Sequence, residues 1–232
     1  QCALDKIGRT PGNVDLGLLD RAIADLTAKV RYECVPILPT HGELLTKKEI
    51  FEGIPGLMKS LKLDTSEGYP LVLERPDSSS DKRWLFDYEE KEGVREFKGY
   101  HFKLKQLIDQ NAEMRAKGIV PFSVFLDTLK DARIPIEKVT VPGKTRMFSC
   151  SPVENTLATK KYFGMFQLSY TKNFKAENAI GIDIDSPELT VMLDGMGGRL
   201  LEPRWFCGDY SAFGDTIQPE FLRGAFDVIR SW

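Results

Sequence analysis

The sequence is poor in the side chains that build zinc sites and disulfide frameworks. It contains four cysteines and two histidines among 232 residues, and no two cysteines have the CxxC spacing that zinc sites use. The cysteines are scattered along the chain, at Cys2, Cys34, Cys150 and Cys207. A zinc site is therefore not expected, and a reducing compartment is the default interpretation.

Long apolar runs and a strong excess of one charge are also absent. No stretch resembles a signal peptide and no run is long enough to cross a bilayer, so we expect no intrinsic membrane segment. The formal net charge is −2, so any nucleic-acid site must be a local basic patch rather than a global field. The phosphate-loop pattern GxxxxGK[ST] does not occur either, which argues against a common class of nucleotide-binding enzymes.

What is present is the composition of an ordinary folded protein. Hydrophobic residues make up 42% of the chain and charged residues 28%, and the length allows one large domain or two modest ones. Apolar residues at helical spacing, apolar runs and capping residues together predict several helices. They cover 15–30, 47–62 with an interruption at Pro55, 102–117 ended by Gly118, 157–170, 186–198 with Ser186 as N-cap, and 219–232.

Other segments predict strands and loops. The stretch Val139 to Ser149 alternates around a Pro-Gly turn, which is typical of a hairpin. An apolar run from Arg204 to Asp209 predicts a strand, and the polar stretch Arg75 to Arg83 predicts a mobile loop. Because helices and strands are interleaved, the pattern favours an α+β (mixed α/β) class over a regular parallel alternation.

A basic pair follows the Pro-Gly turn. Lys144 and Arg146 flank Thr145, so on a strand they would point to the same face. Two adjacent cations favour an anion between them, and a triphosphate suits a guanidinium fork beside an ammonium. The surrounding window is also rich in lysine and arginine. Taken alone, however, such a pair is more often part of a solvated surface.

Asp209 is a candidate metal ligand. A carboxylate at the end of a buried strand supplies the hard oxygen that Mg²⁺ prefers. An aspartate that caps a turn is the alternative, and from this residue alone it is the more common case.

The stretch TSEGYP, from Thr65 to Pro70, is a candidate contact for a phosphodiester backbone. Small residues and glycine allow close approach, and hydroxyl and amide groups bind phosphate oxygens. A simple tight turn is the alternative.

The order of these stretches resembles a known family. TSEGYP, then KDARIPIEKVTVPGKTR, then AIGIDIDSPEL, then CGDYSAFG are similar to successive motifs in the front half of picornavirus-like RNA-dependent RNA polymerases. The first resembles motif G, the second motif F, the third the segment before the palm, and the fourth motif A. The form of motif A is similar to that of dicistroviruses and iflaviruses. The resemblance extends over most of the chain from Thr65 onward.

The resemblance implies roles for matching positions. Asp209 would be the catalytic metal ligand, with the backbone of Tyr210 beside it, and the ion would be Mg²⁺ or Mn²⁺. Template RNA would contact Thr65, Ser66 and Gly68. Nucleoside triphosphate would contact Lys130, Arg133, Lys138, Lys144, Arg146, Tyr210 and Asp215.

One position departs from the motif A of vertebrate picornaviruses. A second aspartate, which helps sense the ribose 2′-hydroxyl there, is replaced here by Gly214, and Asp215 lies one place later. Asp215 therefore either reaches the ribose or begins the next helix, where its negative charge favours the helix dipole.

The resemblance also implies the extent of the piece. Residues 1–200 would form the fingers, with motif G at about 65–70 and motif F at about 130–150, and residues 201–232 the first strand and helix of the palm. Motif B and the Gly-Asp-Asp motif C do not occur in the sequence. We expect the chain alone to be inactive and to form part of a longer polymerase derived from a polyprotein.

The family also implies partners and a location. They are template and product RNA, nucleoside triphosphates, the remaining palm and thumb, and other viral replication proteins in a membrane-associated complex of the host cytoplasm. Three alternatives stay open: a non-catalytic RNA- or nucleotide-binding module, an unrelated nucleotide-binding enzyme, and a structural component of a virus.

Overall fold

The computed structural model describes residues 12–38, 44–131, 133, 135–141, 147–173, 179–197, 207–209 and 213–232. Eight α-helices, two short 3₁₀ helices (Leu71–Glu74 and Lys82–Leu85) and four strands lie in these ranges. The helices are α1 (Leu16–Glu33), α2 (Lys47–Glu52), α3 (Phe102–Ala116), α4 (Ile136–Val139), α5 (Val153–Asn173), α6 (Pro187–Gly195), α7 (Phe213–Thr216) and α8 (Pro219–Ser231). The strands are β1 (Phe86–Lys91), β2 (Val94–Tyr100), β3 (Leu126–Leu129) and β4 (Met147–Cys150).

The chain forms two compact units. One contains residues 43–164, and the other contains residues 1–42 together with 165–232. Mixed helices and antiparallel strands confirm the predicted α+β class. The predicted division into fingers (1–200) and palm (201–232) is a functional assignment and stays a prediction.

An aromatic core holds together the first half of the 43–164 unit. Strands β1 and β2 form an antiparallel hairpin in which Phe86 pairs with Tyr100. The side chain of Phe51 on α2 is fully buried, and its ring lies 5.2 Å from those of Phe86 and Phe97. Aromatic rings at such spacings add to the stabilisation from their buried area.

The predicted helix over 47–62 is wrong beyond its first part. Thr46 and Glu49 form a capping box that starts α2, but the helix ends at Glu52 because Gly53 has a φ of +83°. A Cβ on Gly53 would lie 2.5 Å from the carbonyl oxygen of Met58, so the chain folds back tightly here. Only glycine combines this φ with so close an approach.

The second hairpin differs from the one predicted within Val139–Ser149. Strand β4 pairs with β3, with Met147 opposite Leu129 and Cys150 opposite Leu126. Residues Ile136–Val139 form a single helical turn instead of the first strand. The sequence therefore located β4 correctly and its partner incorrectly, while the predicted Pro-Gly turn lies outside the described residues.

The longer predicted helices are confirmed. Helix α3 ends as predicted, with Gly118 at a φ of +72° and the amide of Ile119 donating to the carbonyl of Met114 at 2.9 Å. Helix α5 contains the predicted 157–170 segment and is longer at both ends. Helix α6 begins with Ser186 as N-cap and Pro187 in the first turn, as predicted.

Helices α1 and α8 build the core of the other unit. Val30, Cys34 and Val228 are buried together, with Trp232 packed against them. The buried Gly224 of α8 faces Ile23, because a Cβ there would lie 2.5 Å from the Cδ1 atom of Ile23. The glycine thus allows close packing of the two helices.

Among the described helices, none combines the length and apolarity required to cross a membrane.

Candidate functional site

The Thr65–Pro70 loop is pressed against the start of α5. Gly68 has a φ of +72°, and a Cβ there would lie 2.8 Å from the carbonyl oxygen of Ser151 and 2.9 Å from the Cα of Pro152. The amide of Val153, the first residue of α5, donates to the carbonyl of Glu67 at 2.8 Å. The backbone of the loop at Glu67 and Gly68 is therefore fixed by its contacts with Ser151–Val153.

The side chain of Glu67 is the buried anchor of this loop. It is fully buried and accepts hydrogen bonds from Arg75 Nε at 2.8 Å, Arg75 Nη2 at 2.5 Å and Trp84 Nε1 at 3.0 Å. Burial alone would raise the pKa of Glu67, but the hydrogen bonds from Arg75 and Trp84 and the charge of Arg75 outweigh it and lower the pKa. The carboxylate is thus ionised, and both of its oxygens accept hydrogen bonds.

The predicted loop over Arg75–Arg83 extends to Asp81 and is followed by a short 3₁₀ helix, Lys82–Leu85, while its mobility stays a prediction. Besides binding Glu67, Arg75 donates from Nη1 to the carbonyl of Ser80 at 3.0 Å. Asp81 and Lys82 are each only 8% exposed. The ends of the segment therefore form hydrogen bonds inside the protein, whereas Asp77 and Ser78 in its middle are exposed. Composition alone does not distinguish these two cases.

Lys82 holds the other side of the loop. Its ammonium donates to Thr65 Oγ1 at 2.7 Å and its amide donates to the Thr65 carbonyl at 3.2 Å. Burial lowers the pKa of Lys82, against the opposing charges of Asp64, Glu67 and Asp81. Thr65 is thus fixed by two hydrogen bonds from one residue.

The three predicted template residues differ in accessibility. Ser66 is exposed, Thr65 is half-buried and Gly68 is buried. The Ser66 hydroxyl accepts a hydrogen bond from the amide of Gly68 at 3.2 Å. Ser66 is therefore the member of this set that is open to a ligand, while Gly68 sets the path of the backbone.

The ionised Glu67 predicts a specific pH dependence of stability. Because its pKa in the folded protein is below the usual 4.5, its contribution is complete above that value and is lost as the pH falls through the folded pKa. The unfolding temperature of Glu67→Gln should be below that of the parent at neutral pH, and the gap should shrink below pH 4.5. Thermal unfolding across this pH range measures the gap.

Glu96 provides the comparison for this pH experiment. Its pKa is also lowered, by a hydrogen bond and charge from Lys98, but it is solvent-exposed. Glu96→Gln should therefore change the unfolding temperature little at any pH, as is usual for surface ion pairs. An equal pH dependence in the two variants would contradict the role of the buried carboxylate.

The predicted nucleotide-binding residues are only partly described. Lys130 directly follows β3 and is exposed, as is Arg133. The backbone of Lys138 lies in α4, but its side chain lies outside the described part of the structure. Lys144 and Arg146 also lie outside it. That these cations bind one nucleoside triphosphate stays a prediction.

The predicted metal site is described at one residue. Asp209 is exposed, and Cys207–Asp209 belong to neither a helix nor a strand, so the predicted strand from Arg204 does not continue through them. Tyr210 lies outside the described residues. Asp215 falls within α7, with its side chain outside the described set. No group of three His, Cys, Asp or Glu residues that could hold a metal occurs in the described ranges.

Sequence reasoning missed the residues that support the loop. Glu67, Arg75, Lys82 and Trp84 were not among the predicted site residues, although they place Thr65 and Ser66. The available signal was a single glutamate among small residues, followed by a segment with arginine, lysine and tryptophan. Such a pattern is compatible with an ion pair, but the spacing in sequence does not identify Arg75 as the partner of Glu67.

Comparisons with known proteins agree on one family. The sequence model described as viral RNA-dependent RNA polymerase matches residues 40–232. The chain is 38% identical over 187 residues to the genome polyprotein of Deformed wing virus, covering 78% of this chain and 6% of the polyprotein. It is 27% identical over 234 residues to the replicase polyprotein of Cricket paralysis virus, covering 94% of this chain and 12% of that protein. The chain thus spans a small part of these curated relatives.

A solved structure supports the fold. The Sicinivirus 3Dpol RNA-dependent RNA polymerase matches with a TM-score of 0.60 and 24% sequence identity, over 84% of this chain and 37% of that chain. At this level of identity the match concerns the fold alone.

Proposed function

Because the chain belongs to the viral RNA-dependent RNA polymerase family, we propose that it supplies the fingers and the first part of the palm of a longer RNA-directed RNA polymerase. The complete enzyme would copy an RNA template with nucleoside triphosphates. The motif order in the sequence and the match over residues 40–232 support this proposal. The chain alone would be inactive, because motifs B and C do not occur in it.

The conformation of the Thr65–Pro70 loop carries the proposal for template binding. The loop is held from its inner side by Val153 and Lys82, while the Ser66 side chain is exposed. A rigid, small-residue surface of this kind suits the phosphate backbone of RNA, which hydroxyl and amide groups contact without reading sequence. Thr65 and Ser66 would contact the template, and Gly68 would act through the shape of the loop.

A charge placed on the exposed serine tests this role. In the complete polymerase, Ser66→Asp should raise the dissociation constant for template RNA by about tenfold at moderate salt, because the new carboxylate repels phosphates. The Michaelis constant for nucleotide on pre-bound template should change little. Filter binding and single-nucleotide addition measure the two quantities separately.

A matched charge elsewhere controls for net charge. Gln110 is exposed on α3, and Gln110→Glu adds the same charge away from the loop sequence. Equal weakening of RNA binding by the two variants would contradict the proposal that the loop contacts the template.

The basic residues in the segment that connects β3 and β4 are proposed to bind the triphosphate. The exposure of Lys130 and Arg133 supports access to a ligand, and Lys138, Lys144 and Arg146 would extend the same positive surface. Tyr210 and Asp215 would complete the nucleotide site on the palm side. Guanidinium and ammonium groups are the usual ligands of phosphate oxygens.

Polymerases of this family use divalent metal ions. We propose that Asp209 and the backbone of Tyr210 hold Mg²⁺ or Mn²⁺ in the complete enzyme. Asp209 fits this role because it offers a hard, exposed carboxylate. The described residues provide no further carboxylates grouped for a metal, so the other ligands would come from outside them. Such an ion would supply a Lewis acid for nucleotidyl transfer.

The family also suggests the surroundings of the enzyme. The substrates of the complete enzyme would be RNA and nucleotides. The remaining palm and the thumb would complete its fold. Other viral replication proteins and a membrane-associated complex in the host cytoplasm are proposed on the same basis.

A non-catalytic RNA- or nucleotide-binding module is the second candidate, favoured by the exposed cations Lys130 and Arg133. Steeply salt-dependent RNA binding without any RNA synthesis by the complete protein would support it.

A further inference from the structure

We propose that Glu67 is a positioning residue for template RNA, acting through Arg75 and Trp84 to orient the Thr65–Ser66 surface. The inference rests on the proposed function, because it assumes that this loop contacts the template. It adds a residue that does not itself touch the ligand and that is fully buried.

The geometry of the carboxylate restricts its orientation. Arg75 binds both oxygens, with Nε on Oε1 and Nη2 on Oε2, and Trp84 adds a second donor to Oε1. A planar guanidinium fork on a planar carboxylate defines rotation as well as distance. The Glu67 side chain therefore has one well-defined orientation.

That orientation passes to the exposed neighbour through the backbone. The Glu67 carbonyl accepts from the amide of Val153, and the amide of Gly68 donates to the Ser66 hydroxyl. Ser66 thus sits directly before a residue held by both side chain and main chain. We therefore expect a change in the Glu67 side chain to move the hydroxyl of its neighbour Ser66.

A contribution to folding stability does not by itself account for the buried ion pair of Glu67 and Arg75. A buried ion pair often contributes no more to folding than apolar residues of the same volume, since two charges lose their hydration. Unlike apolar packing, however, hydrogen bonds fix the orientation of the groups that they join. Here they join the loop to Arg75, which also binds the Ser80 carbonyl, and to Trp84, whose ring lies edge-on to that of His101 at 5.1 Å.

Glu67→Gln and Arg75→Lys in the complete polymerase test the inference. The amide lacks the charge and places donors against the guanidinium, while the lysine keeps the charge and lacks the fork. We expect Glu67→Gln to raise the dissociation constant for template RNA by about tenfold, and Arg75→Lys by a smaller factor in the same direction, because small misplacements of positioning groups have large effects. The Michaelis constant for nucleotide on saturating template should stay within about twofold, because neither residue is proposed to position the nucleotide.

A chemically matched control lies in the same unit. Glu154 is 2% exposed and accepts two hydrogen bonds from Arg115, at 2.7 and 3.2 Å, and one from Asn111 at 2.8 Å. Glu154→Gln removes the same charge from the same kind of arrangement, but its partners lie on α3. Unfolding temperatures of all variants show how far each is destabilised.

The outcomes separate the two proposals. If Glu154→Gln weakens template binding as much as Glu67→Gln at equal destabilisation, the role of Glu67 is structural and the inference is overturned. If Glu67→Gln does not fold, Arg75→Lys decides, and unchanged template binding in it also overturns the inference. If Ser66→Asp binds RNA normally, the loop is not a template contact, and the proposed loop function fails together with the inference. If Ser66→Asp weakens binding but Glu67→Gln and Arg75→Lys do not, only the inference fails.

Discussion

Replacing Asp209 with asparagine in the complete polymerase should lower the rate of nucleotide addition by about a hundred- to a thousandfold, the scale seen when one group that stabilises transition-state charge is removed. The amide keeps the shape of the side chain but loses the negative charge that attracts a divalent cation. Template binding should be retained, because Asp209 is not proposed to contact the template. Single-nucleotide addition on a pre-bound primer–template, titrated with Mg²⁺, measures the effect.

A second aspartate in the same unit controls for the substitution itself. Asp227 is 60% exposed and lies 3.7 Å from Arg230 within α8. Its replacement by asparagine should leave the rate nearly unchanged, since exposed ion pairs contribute little. If Asp209→Asn behaves like Asp227→Asn, the assignment of Asp209 as a metal ligand is wrong.

The features predictable from sequence were those encoded within a few residues. The N-cap at Ser186, Pro187 after it and the C-terminal Gly118 each act on the backbone next to them. A local signal of this kind specifies where a helix begins or ends. The apolar character of 157–170 likewise predicted the helix α5, in which Val153, Leu157 and Met165 are buried.

The features that sequence did not predict depend on distant partners. Strand β4 pairs with β3 across α4, whereas its own sequence suggested a nearer partner. The β1–β2 hairpin is an exception, because its signal is local: Lys91 pairs with Val94 across the two-residue turn Glu92–Gly93, where both φ values are positive. It was missed because its strands carry many charged residues. Pairing between segments far apart in sequence depends on packing, which a local pattern does not encode.

The candidate site shows the same division. The small residues of the Thr65–Pro70 loop predicted either a ligand contact or a simple tight turn, and a turn is present at Tyr69–Pro70. The fully buried Glu67 was not predicted, because the partners that stabilise its charge, Arg75 and Trp84, lie in segments whose composition suggested mobility or no particular role. A glutamate is rarely fully buried unless it is paired, and the pair is visible only in the folded chain.

Replacing Gly68 with alanine should destabilise the Thr65–Pro70 loop by about 2 to 5 kcal/mol, the sum of left-handed backbone strain and overpacking. The new Cβ would lie 2.8 Å from the Ser151 carbonyl oxygen and 2.9 Å from the Pro152 Cα. Both contacts are backbone atoms at the start of α5, so a rotamer change does not relieve them. Hydrogen exchange at the amides of Val72 and Val153, which donate to the Gly68 and Glu67 carbonyls, measures the local opening free energy.

Gly56 separates the two contributions. It has a similar φ of +74°, but a Cβ there would meet no atom within 4 Å. Gly56→Ala should therefore cost only the backbone strain of about 1 to 2 kcal/mol, and protection at Val72 and Val153 should be preserved. The difference between the variants reports the packing of the loop on α5. If Gly68→Ala is no worse than Gly56→Ala and template binding is unchanged, the loop is not held against α5 in the way that orients Ser66, and its proposed rigidity is wrong.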